Sequence, residues 1–163
     1  MTTLAGSQGG TCRNAQTDGI GTSAVLGAPS FLAVHPTGFA LVLDTQPNQL
    51  VRRFDISSYA VTTVAGGASG YTDGVGTSAK FQSLFGVAIT PQATAAVIVE
   101  HGGHRVRGID LSTSAVTTLA GSSGGYTDGT GTSARFYYPS AVVISPDGSM
   151  AYIADYYNHK WAH

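Results

Sequence analysis

The chain has 163 residues, eight Lys plus Arg against nine Asp plus Glu, a net charge of −1 and only 10% charged side chains. So few cations leave no electrostatic footprint for nucleic acid, whose binding rests on phosphate neutralisation. A hydrophobic share of 42% with 22 glycines suits one packed domain with many tight turns, not a disordered chain, and no apolar run approaches the ~20 residues of a membrane-spanning helix.

The first ten residues, MTTLAGSQGG, lack the basic and hydrophobic stretches of a secretory signal, so an exported form would be mature or an excerpt. Cys12, the single cysteine, excludes an internal disulfide and has no evident partner base. Residues 1–7 copy a segment that returns as AVTTVAGG from Ala60 and AVTTLAGS from Ala115. A loop follows, QTDGIGTSAVL, and it recurs as YTDGVGTSAKF and YTDGTGTSARF, with its aspartates at 18, 73 and 128, steps of 55. Pro36, Pro91 and Pro146 keep the same step. A fixed period of this length signals a repeat architecture and outranks any local reading.

Within one unit the pattern reads as four short strands. SFLAV runs into HPTG, a turn with Pro and Gly where turn geometry favours them, and the third unit has SPDG there. FALVL is apolar on both faces and reads as a central strand covered on both sides. The polar hairpin DTQPNQ leads to LVRRFDI, and SSYA turns into the Thr-rich VTTVA, which fits a half-exposed outer edge. No segment has a helical period, so residues 61–68 and 116–123 are expected to be extended. The predicted fold is all-β: β-propeller blades of four antiparallel strands, three units per chain, part or half of a propeller of about six blades. The units are residues 8–66, 67–121 and an incomplete 122–163, preceded by the outer strand 1–7.

The recurring loop is read as the link from the outer strand of one blade to the inner strand of the next. Its Asp-Gly and Gly-Thr pairs are expected to supply positive φ. Its Ala-x-Phe places Ala79, Phe81, Ala134 and Phe136 to plug the space between blades, Leu26 standing in for Phe in the first loop. Asp18, Asp73 and Asp128 are expected to structure the loops by accepting N–H bonds within the turn, since one carboxylate per loop is far short of calcium's six to eight oxygens. The loop is no phosphate cradle, because it opens no helix and carries no lysine in place.

Residues 138–160, YPSAVVISPDGSMAYIADYYNHK, resemble an NHL repeat, with Pro before the inner strand, PDG in the turn and AD-x-x-NHK after the second strand. The segment VTTLAGSSGGYTDGTGTSARF is similar to the linker of the long-period branch of that family. The second unit has EHGGHR and the first DTQPNQ in place of the name-giving motif. The resemblance implies a propeller; its members include protein-interaction modules, RNA-binding modules and a few lyase-like enzymes, so it does not by itself imply one activity.

His104 and His159 share one position in successive units, where Gln49 stands in the first. A metal site and plain hydrogen bonding both fit imidazole; without a third equivalent His, structural bonding is the expectation and neither a metal nor another cofactor is expected. His101 adds a local HGGH in the second unit. There is no G-x-S-x-G nucleophile setting, and the chain is expected not to be an enzyme. Tyr71, Tyr126, Tyr137, Tyr138, Tyr156 and Tyr157 are the interaction candidates, with inter-blade packing as the alternative use.

The expectation is a non-catalytic protein-interaction or self-assembly module. A lyase- or hydrolase-like propeller and an RNA-binding module are the alternatives; nucleic-acid partners and membrane insertion are not expected. Low charge with abundant Ser and Thr fits an extracellular or cell-surface protein with O-linked glycans, although no N-x-[ST] sequon occurs. The strand count predicts that the chain does not close a propeller alone: MTTLA is a spare outer strand and the last unit stops as its third strand begins. A dimer of six blades, a filament, or an excerpt of a longer chain would each satisfy that count.

Overall fold

The computed structural model describes residues 2–6 and 15–163; Met1 and Ser7 of the expected outer strand 1–7, and Cys12, lie outside them, and residues 2–6 pair with no strand. The first sheet contains β1 (Gly19–Ile20), β2 (Pro29–His35), β3 (Phe39–Asp44), β4 (Gln49–Asp55) and β5 (Ala60–Gly67), ordered β1-β5-β4-β3-β2. The second contains β6 (Gly74–Val75), β7 (Leu84–Ile89), β8 (Ala95–Glu100), β9 (Arg105–Asp110) and β10 (Ala115–Gly121), ordered β6-β10-β9-β8-β7. The third contains β11 (Pro139–Ile144), β12 (Ala151–Asp155) and β13 (Lys160–Ala162) in sequence order. All pairings of these strands are antiparallel. The fold is all-β, three propeller-type blades, and residues 61–67 and 116–121 are strand as the sequence predicts.

The core lies between sheets. Alternation along a strand sends successive side chains to opposite faces; the second strands β3 and β8 are apolar at nearly every position, β8 covered on both faces and β3 packed on the second blade by one face, with Val42 half-buried on the other. Phe39, Leu41, Leu43, Val51 and Ala65 of the first blade meet Leu84, Ala96, Ile98, Ile109 and Val116 of the second. Val97, Val99 and Val106 of the second meet Val142 and Ile153 of the third.

Two details differ from the sequence reading. The outer strand is not a bare edge: Gly19 and Ile20 pair with Val61 and Ala60, and Gly74 and Val75 with Val116 and Ala115, so the loop lays a two-residue fifth strand on the blade that it leads into. Positive φ in the loop belongs to the second glycine alone, +57° at Gly21, Gly76 and Gly131, where a single 3₁₀ turn begins. The first glycine is needed for closeness instead, because a Cβ on Gly19 would stand 2.9 Å from the backbone of Ser23 and Ala24.

Candidate functional site

Each joint between blades is closed by one residue of the loop. Phe81, fully buried, fills the first joint with Ala79 beside it, and Phe136, 5% exposed, fills the second. Burying a side chain of that size contributes about 2–3 kcal/mol.

The loop itself is pinned by ion pairs that sequence reasoning missed. Arg52 and Arg107, one period apart, point from the third strand of their blades and are wholly buried. Arg52 Nη2 donates to Asp18 Oδ1 at 3.0 Å and to the Thr17 carbonyl at 2.9 Å, and its Nη1 lies 3.3 Å from buried Asp44. Arg107 repeats this with Asp73 at 2.7 Å, the Thr72 and Lys80 carbonyls, and buried Glu100. The inner carboxylates do a second task, accepting the N–H groups that lead into the first strand: Gly27 and Ala28 on Asp44, Gln82 on Glu100, Tyr137 on Asp155. Burial pushes the Glu100 carboxyl above its usual range, against the opposing pull of the Gln82 N–H and Arg107. The available signal was a cation inside an apolar strand, recurring after 55 residues together with a carboxylate 34 residues earlier.

The loop aspartates reach further than the turn. Asp18 accepts the Thr63 N–H at 3.0 Å and its hydroxyl at 2.8 Å; Asp73 does the same with Thr118, at 3.0 and 2.9 Å. The bonds therefore run to the outer strand 45 residues away, because the fifth-strand pairing brings that strand alongside the loop. Burial alone would raise the Asp73 carboxyl, but the Thr118 donors and Arg107 outweigh it and hold it below its usual value. Asp128 stands apart: its side chain is 97% exposed and, among the described residues, reaches only Lys160 Nζ, at 3.4 Å.

His104 lies at φ +54° at the head of β9, and its Nδ1 accepts the Tyr138 N–H at 3.1 Å. Gln49 does the equivalent work one blade earlier, accepting the Leu84 N–H on Oε1 at 2.9 Å. Both are polar staples from one blade to the next. Burial, His101 and Arg105 together hold His104 below the usual histidine pKa, which keeps it neutral for that acceptor role. His159 takes the same left-handed conformation, φ +54°, and is exposed. Among the described residues no three His, Cys, Asp or Glu side chains converge as a metal site would require, and no helix is long and apolar enough to cross a membrane.

The tyrosines divide. Tyr137, Tyr138, Tyr156 and Tyr157 join an aromatic row that crosses all three blades, from Phe31 to Phe85 (4.7 Å between ring centres), His101 (4.6 Å), Tyr138 (4.9 Å) and Tyr157 (5.2 Å). Tyr71 and Tyr126 lie outside it, each under a cation: the Arg105 guanidinium at 4.1 Å and Lys160 Nζ at 3.7 Å.

The end faces are the large uncovered feature. Val51 and Val106 occupy one position in successive blades, fully buried and 3% exposed; the third occupant, Trp161, is 86% exposed. Leu41, Val97 and Tyr152 follow the same series, at 0, 8 and 40%. With Ala141, Val143 and Ala154, Tyr152 and Trp161 line a shallow apolar hollow of about 290 Å³ on the third blade. The opposite end has a hollow of about 200 Å³ lined by Leu26, Leu32, Val42, Phe54 and Val61 of the first blade, with Leu4 beside them. These residues match the set with which the second blade covers the first: Leu26 corresponds to Phe81, Val42 to Ile98, Phe54 to Ile109 and Val61 to Val116. Each end therefore repeats the residue positions of one side of an internal joint.

No family model matches the chain. It is similar to a human protein named NHL repeat-containing protein 2, 28% identical over 141 residues, which covers 80% of this chain and 19% of that protein. The chain thus spans about a fifth of the length of this curated relative. Among solved structures it resembles an auxiliary nutrient binding protein from Bacteroides ovatus, with a TM-score of 0.71, 22% identity and 87% of this chain against 38% of the other. A second auxiliary nutrient binding protein, from Bacteroides thetaiotaomicron, gives a TM-score of 0.67 at 22% identity, over 80% of this chain and 35% of that one.

Proposed function

For a chain of NHL-type repeats folded into β-propeller blades, as this one is, we propose the role of a non-catalytic binding module that acts through its two end faces, each receiving a further blade face. One observation carries this: the position that holds buried Val51 and Val106 holds an 86% exposed Trp161 on the third blade. Apolar surface of this kind in water recruits a cover, and tryptophan is a residue on which interface energy concentrates. Low charge and abundant Ser and Thr support a setting outside the cell or at its surface.

The test is native mass by light scattering on the 163-residue chain and on Trp161→Asp. The expected result is an assembly heavier than the 16.6 kDa chain that Trp161→Asp dissociates. A folded monomer at micromolar concentration, unchanged by the substitution, refutes the reading. Stoichiometric zinc surviving dialysis of the purified chain would refute its non-catalytic part.

A further inference from the structure

We propose that the aromatic row is a docking groove for an extended proline-rich peptide, on a surface separate from the two end faces and independent of what covers them.

The blades supply the comparison. Pro29 faces Asp44, Leu84 faces Glu100 and Pro139 faces Asp155 where the first strand begins and the second ends, which fixes the equivalent positions around that edge. Before the first strand the third blade has Tyr137 and Tyr138, where the first has Gly27 and Ala28 and the second Gln82 and Ser83. After the second strand it has Tyr156 and Tyr157, where the first has Thr45 and Gln46 and the second His101 and Gly102. The local bonding is the same in all three, since the N–H of Gly27, Gln82 and Tyr137 each donates to the buried carboxylate of its own blade. The edge therefore forms without aromatic side chains, and packing does not account for four tyrosines. Tyr138 lies at φ +57°, as Ser83 does at +60°. A bulky residue in that region is an outlier, and such strain gathers at ligand clamps. Tyr137, Tyr156 and Tyr157 are 42, 59 and 53% exposed.

Charge, shape and spacing select the occupant. The row of Phe31, Phe85, His101, Tyr138, Tyr157 and Tyr156 includes no Lys, Arg, Asp or Glu, and the neighbouring cations Arg105 and Lys160 lie over Tyr71 and Tyr126 instead. Single-stranded nucleic acid stacks on aromatic rings but also needs a cationic groove along its phosphates. Phe85 and His101 are within 25° of parallel, whereas the other successive rings are tilted by 43, 52, 67 and 83°. The row is thus ridged, with few flat faces for a sugar ring. A polyproline II helix has three residues per turn and a rise of about 3.1 Å, so its ridges recur every ~9 Å. Ring centres 4.6–5.2 Å apart place every second ring beneath a successive ridge. Prolines leave carbonyl acceptors with no N–H between them, which tyrosine hydroxyls can serve. Beside Phe31 and Phe85 a cleft of about 270 Å³ adds the side chains of Ser30, Thr45, Gln46 and Ser83. Grooves lined in this way take polyproline II segments, whose preformed helix loses little entropy on binding.

The test is fluorescence polarisation of a blocked, labelled oligoproline with the 163-residue chain, beside a neutral cello-oligosaccharide and an oligouridine. The oligoproline is expected to bind with an affinity that salt leaves unchanged, because no charges pair. Tyr138→Ser and Tyr157→Gln, each the residue of another blade at that position, should keep the circular dichroism spectrum and weaken binding about tenfold apiece, as truncating interface tyrosines does. Tyr59→Ser, on the opposite edge where Ser114 stands one blade later, should leave the affinity unchanged. A folded chain that ignores the oligoproline, or that binds it equally well in both tyrosine variants, overturns the proposal. Oligosaccharide or oligouridine bound in its place, and lost in those variants, overturns the peptide assignment.

Discussion

Replacing Arg107 with Met tests how far the blades depend on their buried ion pairs. The guanidinium has no solvent exposure and serves four acceptors: Glu100, Asp73 at 2.7 Å, and the carbonyls of Lys80 and Thr72 at 3.1 and 3.2 Å. Asp73 is 47% exposed, so its share is screened and amounts to no more than about 1 kcal/mol. Glu100 is fully buried, and stripping a buried charge of its partner costs about 3–5 kcal/mol in total. Burial already raises the Glu100 carboxyl, and loss of Arg107 raises it further. A carboxyl whose folded pKa exceeds its unfolded value contributes most when protonated and loses that contribution as pH rises toward the folded value. Arg107→Met should therefore lose less stability at pH 5 than at pH 7, and Arg107→Met combined with Glu100→Gln should recover most of the loss. Urea unfolding followed by circular dichroism at both pH values measures this. A loss below about 1 kcal/mol at pH 7, or an equal loss at both, would refute the reasoning.

Three further outcomes are expected from the same measurement. His104→Gln should fold like the parent, because Gln49 performs that task one blade earlier, while His104→Leu should cost about 1 kcal/mol by orphaning the Tyr138 N–H. With His104 held below its usual pKa, its contribution is full above pH 6.5 and declines as pH falls below it, a decline that His104→Gln should abolish. Gly121→Ala should cost about 2–3 kcal/mol, since φ is +85° and the new Cβ would stand 2.3 Å from the His104 carbonyl oxygen. Phe81→Ala should cost about 3–5 kcal/mol and Leu26→Ala about 1 in the dissociated chain, because the first fills a closed joint and the second an open one.

Periodicity made the blades legible. Asp18, Asp73 and Asp128 set the step, and a repeat of that length with Pro-Gly and Pro-Asp-Gly turns leaves few architectures. The loop plug was legible as well, because Ala-x-Phe after a polar stretch has nowhere to go but between sheets. The ion pairs were not. Arg52 sits in LVRRFDI, a strand whose facing was unassigned, and its partners Asp18 and Asp44 come from two other segments. The carboxylate series also slips: Asp44 follows Pro36 by eight residues, whereas Glu100 and Asp155 follow Pro91 and Pro146 by nine. A one-residue difference in turn length, compensated in the next hairpin, hid an equivalence that pairing makes plain, since Asp44 faces Pro29 as Glu100 faces Leu84 and Asp155 faces Pro139.

The third blade departs from the other two in a consistent direction. Ala162 stands where Arg52 and Arg107 stand, so Asp155 turns to Asn158 Nδ2, at 2.7 Å, and Asp128 reaches out to Lys160. Trp161 and Tyr152 replace Val and Leu or Val on the face that looks away from the second blade. The first two blades hold their loop aspartate on an internal arginine, whereas the third leaves its own exposed beside a surface lysine. The faces at the two ends are unlike, one carrying Trp161 and the other Leu26 and Phe54, so the proposed end-face contact, if made between copies, is head-to-tail. Head-to-tail contacts close into rings when their rotation permits and otherwise continue as filaments. Two copies supply six blades, within the four to eight that propellers use. The rotation per blade, repeated twice inside the chain, is then the quantity that decides between a closed pair and an open array.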